Sequence, residues 1–366
     1  LTNDLYPEKD KELGVNGWGV DDGYGYVTGD TYETGSGTWN KKQVYIAYYN
    51  NWALWGDYIY QAVRATGIVY VYTGDPKYGR TAAVLLDRVA DLVPELDTGV
   101  YQPTMTNNGW FGGIFLGGIS DCGHVQMYDK TYDAVYDLMD DPYVLGFVGK
   151  RAKTYKIETP KTTGNELREH MENNMLREFK DAIYAKRVWG NEGMHQAAMA
   201  TTAVVLDSIP ESKKMIDWTL TGGGATIQTL INTLDRDGHG TENSPNYNNL
   251  WASQFSGVSD VLAGYSAYPT ADLYQNPKWI KLIKLNFPLT LSRNHTAQIG
   301  DTEGTATTTF DFTTAEFGRA LMSSNDPEIA QMIYFLNGNT ANGSNGISIF
   351  DNVSAVQKKV KELVDQ

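Results

Sequence analysis

The chain has 366 residues and a formal net charge of −14, with 41% apolar and 20% charged residues. That is enough apolar chain for a large core, in one extended domain or two ordinary ones. The acidity argues against a nucleic-acid partner, which would call for a basic face, and no run of about 18 apolar residues is present to span a membrane. Leu1 opens the chain without the charged and apolar regions of a signal peptide, so a secreted protein would have shed its signal before this point. Residues 1–40 are rich in Gly, Asp, Thr and Tyr, as in Asp21-Asp22-Gly23-Tyr24-Gly25-Tyr26, and read as a loop-rich leading segment.

From Gln43 the pattern turns helical. Residues 43–72 carry apolar side chains at three- and four-residue spacings until Gly74-Asp75-Pro76 breaks the run. A second helix is predicted from Lys77 to Leu92, ended by Pro94, and others over 129–148 and 165–188. The last of these follows Gly164 and carries alternating charge on its outer face. Further candidates are 191–208, 211–220, 224–235, 248–268, 272–286, 314–323 and 326–337, with Gly, Pro or Asp-Pro at many of the breaks. Few segments alternate apolar and polar, so sheet is predicted to be minor. About eleven helices on loops of three to thirty residues do not suggest a four-helix bundle. They suit an all-α fold of antiparallel helix pairs, an α/α toroid or incomplete α/α barrel. The long polar loops 94–128, 149–164, 236–247 and 287–313 are where a site is expected.

Cys122 is the one cysteine, which excludes an internal disulfide and a cysteine-based metal site. The chain is rich in aromatics, with 24 Tyr, 9 Trp and 11 Phe. Sugar rings stack on aromatic faces, although most aromatics in any protein are core. Basic residues cluster at Lys150, Arg151, Lys153 and Lys156, and again at Lys186 and Arg187. They read either as local positive charge for a polyanion or as solvated helix ends.

Three segments pack polar side chains and Gly between apolar helices. The first, Gly190-Asn191-Glu192-Gly193-Met194-His195-Gln196, opens a predicted helix and sets Asn191 and His195 four apart, on one helical face. An amide beside an imidazole can hold a carboxylate and move a proton; the same pair also reads as an N-cap and a structural histidine. The second runs from Asp235 to Asn248. Its Asp-x-Asp-Gly-x-Gly resembles the start of a calcium loop, but position 12 is Asn246, not the Glu of an EF-hand. It also carries Glu242-Asn243-Ser244-Pro245-Asn246-Tyr247, where a turn bearing Pro would hold a tyrosine stiffly, whether for catalysis or for packing. The third runs from Asn294 to Gly304, just after Arg293. It carries His295, Asp301 and Glu303, as a site wall or a polar turn.

Together these segments resemble the heparinase II/III-like polysaccharide lyases. Asn191 to Gln196, followed by Asp237 to Trp251, is similar to that family's two central signatures, and Ile299-Gly300-Asp301 to a third near the end of its toroid. The resemblance covers roughly residues 40–340. It implies a loop-rich segment over 1–40, an α/α toroid catalytic domain over 41–340, and a segment over 341–366 leading toward a C-terminal β-sandwich domain, expected here to be missing or absent. Some relatives set the amide directly before the histidine, whereas Glu192, Gly193 and Met194 intervene here.

The implied activity is β-elimination on an anionic, uronate-containing polysaccharide. The enzyme neutralises the carboxylate, takes the C5 proton and protonates the oxygen leaving C4, so the product carries an unsaturated end. The resemblance implies His195 and Tyr247 as acid and base. Asn191 holds the carboxylate, with Glu242, Arg293, His295 and Asp301 as further substrate-binding residues. No metal or other cofactor is required by this chemistry. A polysaccharide substrate implies a secreted or periplasmic protein, without nucleic acid or membrane as partner. Two other readings are an α/α-barrel glycoside hydrolase using a carboxylate pair among Asp237, Glu242, Asp301 and Glu303, and a toroid that binds carbohydrate without turnover.

Overall fold

The computed structural model describes residues 31–34, 37–40, 48–96, 113–117, 119–242, 244–285, 287–291, 295–297, 299–300, 314–343 and 351–365. The fold is all-α. Strand is confined, among the described residues, to two antiparallel pairs: β1 (Thr31–Thr34) with β2 (Gly37–Asn40), and β3 (Thr290–Leu291) with β4 (His295–Thr296). No described helix is long and apolar enough to cross a membrane. The chain divides into two compact units, 1–190 and 191–366, so the boundary falls inside the first polar segment.

In the first unit, a π-wound stretch (Tyr48–Ile59) runs into α1 (Tyr60–Thr73), and α2 (Pro76–Leu92) packs against α1. The turn between them follows from sequence. Gly74 takes the left-handed conformation (φ +66°) that closes α1, and Asp75 accepts a hydrogen bond from Lys77 N at 3.0 Å ahead of Pro76. Next come α3 (Ser120–Ala134), α4 (Pro142–Tyr155), α5 (Gly164–Met171), a π turn (Glu172–Leu176) and α6 (Arg177–Tyr184). The core of this unit is aromatic: Trp55, Phe115, Tyr128 and Phe179 are buried and lie ring against ring.

The second unit holds α7 (Met194–Leu206), α8 (Glu211–Leu220), α9 (Thr226–Asn232), α10 (Pro245–Leu262), α11 (Pro277–Lys284), α12 (Thr314–Ser324), α13 (Pro327–Leu336) and α14 (Val353–Val364). Asn276 and Asp326 cap α11 and α13 ahead of a proline, as Asp141 caps α4. α7 is buried along almost its whole length and packs on both α8 and α10.

Two expectations need correction. The polar stretches 94–128 and 149–164 are not loop throughout, because α3 starts at Ser120 and α4 runs on to Tyr155. The helix expected over 129–148 is instead the end of α3, a short 3-10 turn (Tyr136–Asp140) and the start of α4. Asp121 explains the first. Its buried carboxylate accepts hydrogen bonds from the backbone N–H of Ile114 (2.6 Å), Phe115 (3.2 Å) and Leu116 (2.8 Å), so an acid at the head of α3 organises the glycine-rich chain before it. The second is explained by Asp141-Pro142, which starts a new helix at its N1 position.

Asp141 also takes a two-pronged ion pair from Arg80, through Nε at 3.0 Å and Nη2 at 2.8 Å, tying α4 to α2. Partial desolvation opposes the charge, but Arg80 and the amides of Tyr143 and Val144 overcome it and hold the carboxyl below the usual carboxylate range. A depressed folded pKa gives stability that is present above the unfolded value, near pH 4, and lost as pH falls through the folded value. Asp141→Ala is therefore expected to cost about 1–2 kcal/mol at pH 7. The gap to the parent protein should narrow below about pH 4. Urea denaturation of both proteins at pH 7 and pH 2.5 checks this, and an undiminished gap at the lower pH contradicts it.

Candidate functional site

The first polar segment does not start as the sequence pattern suggests. Residues 191–193 form a turn, and α7 begins at Met194, with Gly193 as its N-cap at φ +92°. Asn191 thus lies in the turn rather than on a helical face with His195, and its carbonyl accepts from Met194 N at 3.0 Å. The reason is steric. A Cβ on Gly193 would sit 2.6 Å from Gln254 Cβ and 2.9 Å from Phe255 N, so only glycine lets this turn approach α10 so closely. Gly193→Ala is expected to destabilise the protein by about 1–3 kcal/mol, combining backbone strain with the clash. A denaturation midpoint matching the parent's would show the contact to be loose.

Gln196 then locks the turn. Its Oε1 accepts from Gly193 N at 2.8 Å, and its Nε2 donates to Glu192 Oε2 and to the Gly224 carbonyl, both at 2.9 Å. His195 is 2% exposed in the first turn of α7, with its ring edge toward Trp218 at 6.5 Å between centroids. Residues 222–224 close over that tryptophan, where a Cβ on Gly223 would lie 2.4 Å from Trp218 Nε1.

The second segment is held by its two end residues, Asp235, whose carboxylate caps the turn rather than opening a calcium loop, and Asn248. Asp235 Oδ1 accepts from the amides of Asp237 (2.8 Å), Gly238 (2.8 Å) and His239 (2.9 Å). Desolvation opposes ionisation there, and these amides overcome it, keeping the carboxyl below its usual range. Asn248, buried in the first turn of α10, accepts from Gly240 N (2.6 Å) and donates to the carbonyls of Glu242 and Ser244 (both 2.9 Å). Gly240 packs against the Trp251 ring, where a Cβ on it would lie 2.7 Å from Cζ3. The signal in the sequence was the amide one residue after the tyrosine and the tryptophan one turn further on. Tyr247 is thereby fixed on a clamped helical turn, half-buried, while Glu242 is exposed. Further back, Lys278 donates to the carbonyls of Leu234 and Asp235, and Lys281 to that of Arg236. Arg236, Asp237 and His239 border a cavity of about 470 Å³ with Lys281, Lys284 and Glu328.

α7 and α10 run in the same direction. Gly193 faces Gln254 at one end, and at the other Asp207, just past α7, accepts from the Tyr265 hydroxyl at 2.5 Å. Tyr247 lies seven residues before Gln254, so α10 overhangs the start of α7 by about 10 Å at 1.5 Å per residue. On this alignment His195, two residues into α7, is level with residue 256, so Tyr247 stands about nine residues, or about 13 Å, further back along α10. His295 lies on β4, opposite Leu291. Arg293, Asp301 and Glu303 lie outside the described residues.

The first unit contains one arrangement that the sequence reading did not single out. Asp87 and Asp91, four apart on the buried face of α2, meet His170 of α5, and one ligand atom from each lies within 4.8 Å of the others. That is a donor set for a divalent metal, but a cation from the chain already fills it. Lys161, 2% exposed, sets Nζ 2.7 Å from Asp87 and 2.6 Å from Asp91, and His170 Nε2 is 3.0 Å from Asp91. Burial drives the Asp87 carboxyl up despite Lys161. At Asp91 burial is outweighed by the hydrogen bonds from His170 and Lys161, and its carboxyl is held down. A metal ion would have to expel a buried ammonium. Two acids at i, i+4 on an otherwise apolar face were the sequence signal for this cluster.

No protein-family model matches the chain, and comparison with curated proteins gives no match.

Proposed function

We propose that this chain is a polysaccharide lyase that cleaves a uronate-containing polymer by β-elimination. The observation that supports it is the packing of the first motif segment, through Gly193, against α10, the helix that the second segment opens, so that a buried histidine and a clamped tyrosine are carried on two neighbouring helices.

The reaction needs three things. The uronate carboxylate must be neutralised so that negative charge developing at C5 is stabilised; a lost donor of this kind typically costs about 3 kcal/mol. A base must take the C5 proton, and an acid must protonate the oxygen leaving C4, each contributing about 10²–10⁴ in rate. In this reading Tyr247 delivers the proton to the leaving oxygen and His195 acts as base or carboxylate ligand. Asn191, in the turn ahead of α7, offers an amide to the carboxylate. None of these steps calls on a metal, so EDTA is expected to leave turnover largely intact; complete loss restored by calcium or zinc would contradict that assignment. Working on such a polymer, the protein is secreted or periplasmic.

The deciding experiment incubates the protein with a panel of uronate polysaccharides, following ultraviolet absorbance of the unsaturated uronate and the masses of the products. New absorbance with no added water supports elimination. Products heavier by one water, without absorbance, would replace this reading with hydrolysis by a carboxylate pair.

A further inference from the structure

Between α2 and α4 of the first unit lies a cavity of about 710 Å³, walled by Val84, Leu85, Val148 and Ala152 and bordered by Arg88, Arg151 and Tyr155. Its charges are layered. The two acids, Asp87 and Asp91, are nearly enclosed and already face Lys161 and His170. What reaches solvent is cationic: Arg88, with 59% of its side chain exposed and only a 3.4 Å approach to Asp91, and Arg151, which has no carboxylate partner among the described residues. Lys150 and Lys153 are exposed on the same helix. In a chain of net charge −14 this is a local inversion of sign.

The mouth of the cavity continues into a ladder along α4. Tyr143, Phe147, Arg151 and Tyr155 follow one another at four-residue intervals, so they share one helical face over about 18 Å. The three rings are 59%, 39% and 63% exposed. Tyr143 and Phe147 lie 6.4 Å apart with their planes within 19°, and Arg151 sits 5.6 Å from the Phe147 ring and 5.2 Å from the Tyr155 ring, its Nη1 donating to the Tyr155 hydroxyl at 3.2 Å. Exposed aromatic rings are costly unless they serve contact. Here they are held in register, with a guanidinium stacked between them. Flat π faces at regular intervals accept the C–H faces of successive sugar rings, and a guanidinium between them suits a carboxylate, which it can grip with two N–H groups.

We infer that this face is a binding surface for an acidic polysaccharide, distinct from the motif segments. Sugar rings lie on Tyr143, Phe147 and Tyr155, and their carboxylates meet Arg151 and Arg88. That the polymer is a polyuronate rests on the lyase reading; the attraction of an anionic sugar chain to this face does not.

Affinity electrophoresis of the full chain in gels containing polygalacturonate, alginate or, as a neutral control, dextran tests this. The parent protein is expected to be retarded by at least one polyuronate and not by dextran, with retardation weakening as salt screens the guanidiniums. The double variant Arg151→Gln, Tyr155→Ala changes exposed side chains only, and circular dichroism should match the parent. Its Kd for the polyuronate should rise at least about tenfold, the worth of one charge-assisted contact. No retardation by either polyuronate, equal retardation by dextran, or a variant that migrates like the parent would each overturn the surface. Assaying the same samples for unsaturated product separates the two ideas: retardation lost in the double variant, with no product from any polymer, keeps this surface and retires the lyase.

Discussion

Tyr247→Phe is expected to lower turnover on the uronate polymer by at least about 10², the contribution of one general acid–base group, while the melting temperature barely moves. The substitution removes one oxygen from a half-buried side chain, and everything that holds the turn in place lies elsewhere: Asn248 ties the loop to α10, and Trp251 carries Gly240. A phenol hydroxyl can hand its proton to a leaving oxygen, so the loss should fall mainly on kcat. His195→Ala should cause a comparable loss in turnover. That variant also leaves a cavity at a 2% exposed site beside Trp218, so some stability is expected to go with it. Steady-state kinetics beside thermal melts separate the two effects. A Tyr247→Phe protein that turns over polymer at the parent's rate would remove Tyr247 from the mechanism, whatever its stability.

The largest effect on stability is expected from Lys161→Met. The methionine fills most of the lysine's volume, so the change is chiefly electrostatic. It leaves the enclosed Asp87 and Asp91 with His170 and, from the solvent side, Arg88 at 3.4 Å from Asp91 to answer them. Breaking a buried pair by removing one partner costs about 3–5 kcal/mol, because a charge is left without compensation. For a body of this size that corresponds to a fall in Tm on the order of 10 °C. Adding Asp87→Asn should recover part of the loss. Burial already disfavours the charge on Asp87, whereas Asp91, held by His170, keeps its own. Thermal melts of the parent, single and double variants test the set. A single variant melting within about 2 °C of the parent, well short of the expected shift, would mean that water or the acids' own protonation relieves the cluster.

Much of the helical layout was legible because local chemistry sets it. Gly74 and Asp75-Pro76 separate α1 from α2, Asn276-Pro277 starts α11 and Asp326-Pro327 starts α13, and each works through its own backbone: a left-handed glycine, an Asx cap, a proline with no N–H to lose. Apolar periodicity located α8, α12 and α13 to within a residue or so, since a face that must be buried repeats at the helical period. The resemblance of the motif segments was likewise a matter of residue order and spacing, available before any coordinates.

What the sequence could not reveal depends on partners far along the chain. The first half of α3, up to Tyr128, reads as loop because its buried face includes Asp121 and His124, and polar side chains are buried at tolerable cost only where the fold supplies partners, as it does for Asp121 with three amides. Lys161 sits in a stretch that reads as exposed, yet acids 70 and more residues earlier make it one of the most enclosed side chains in its unit. Asn191 was assigned to a helix that starts three residues later, because the close approach of Gly193 to Gln254 and Phe255 sets where α7 begins. Local rules settle where helices stop and start; long-range contacts settle which polar groups are buried, and the aromatic and cationic ladder on α4 acquires its cavity only because α2 packs beside it.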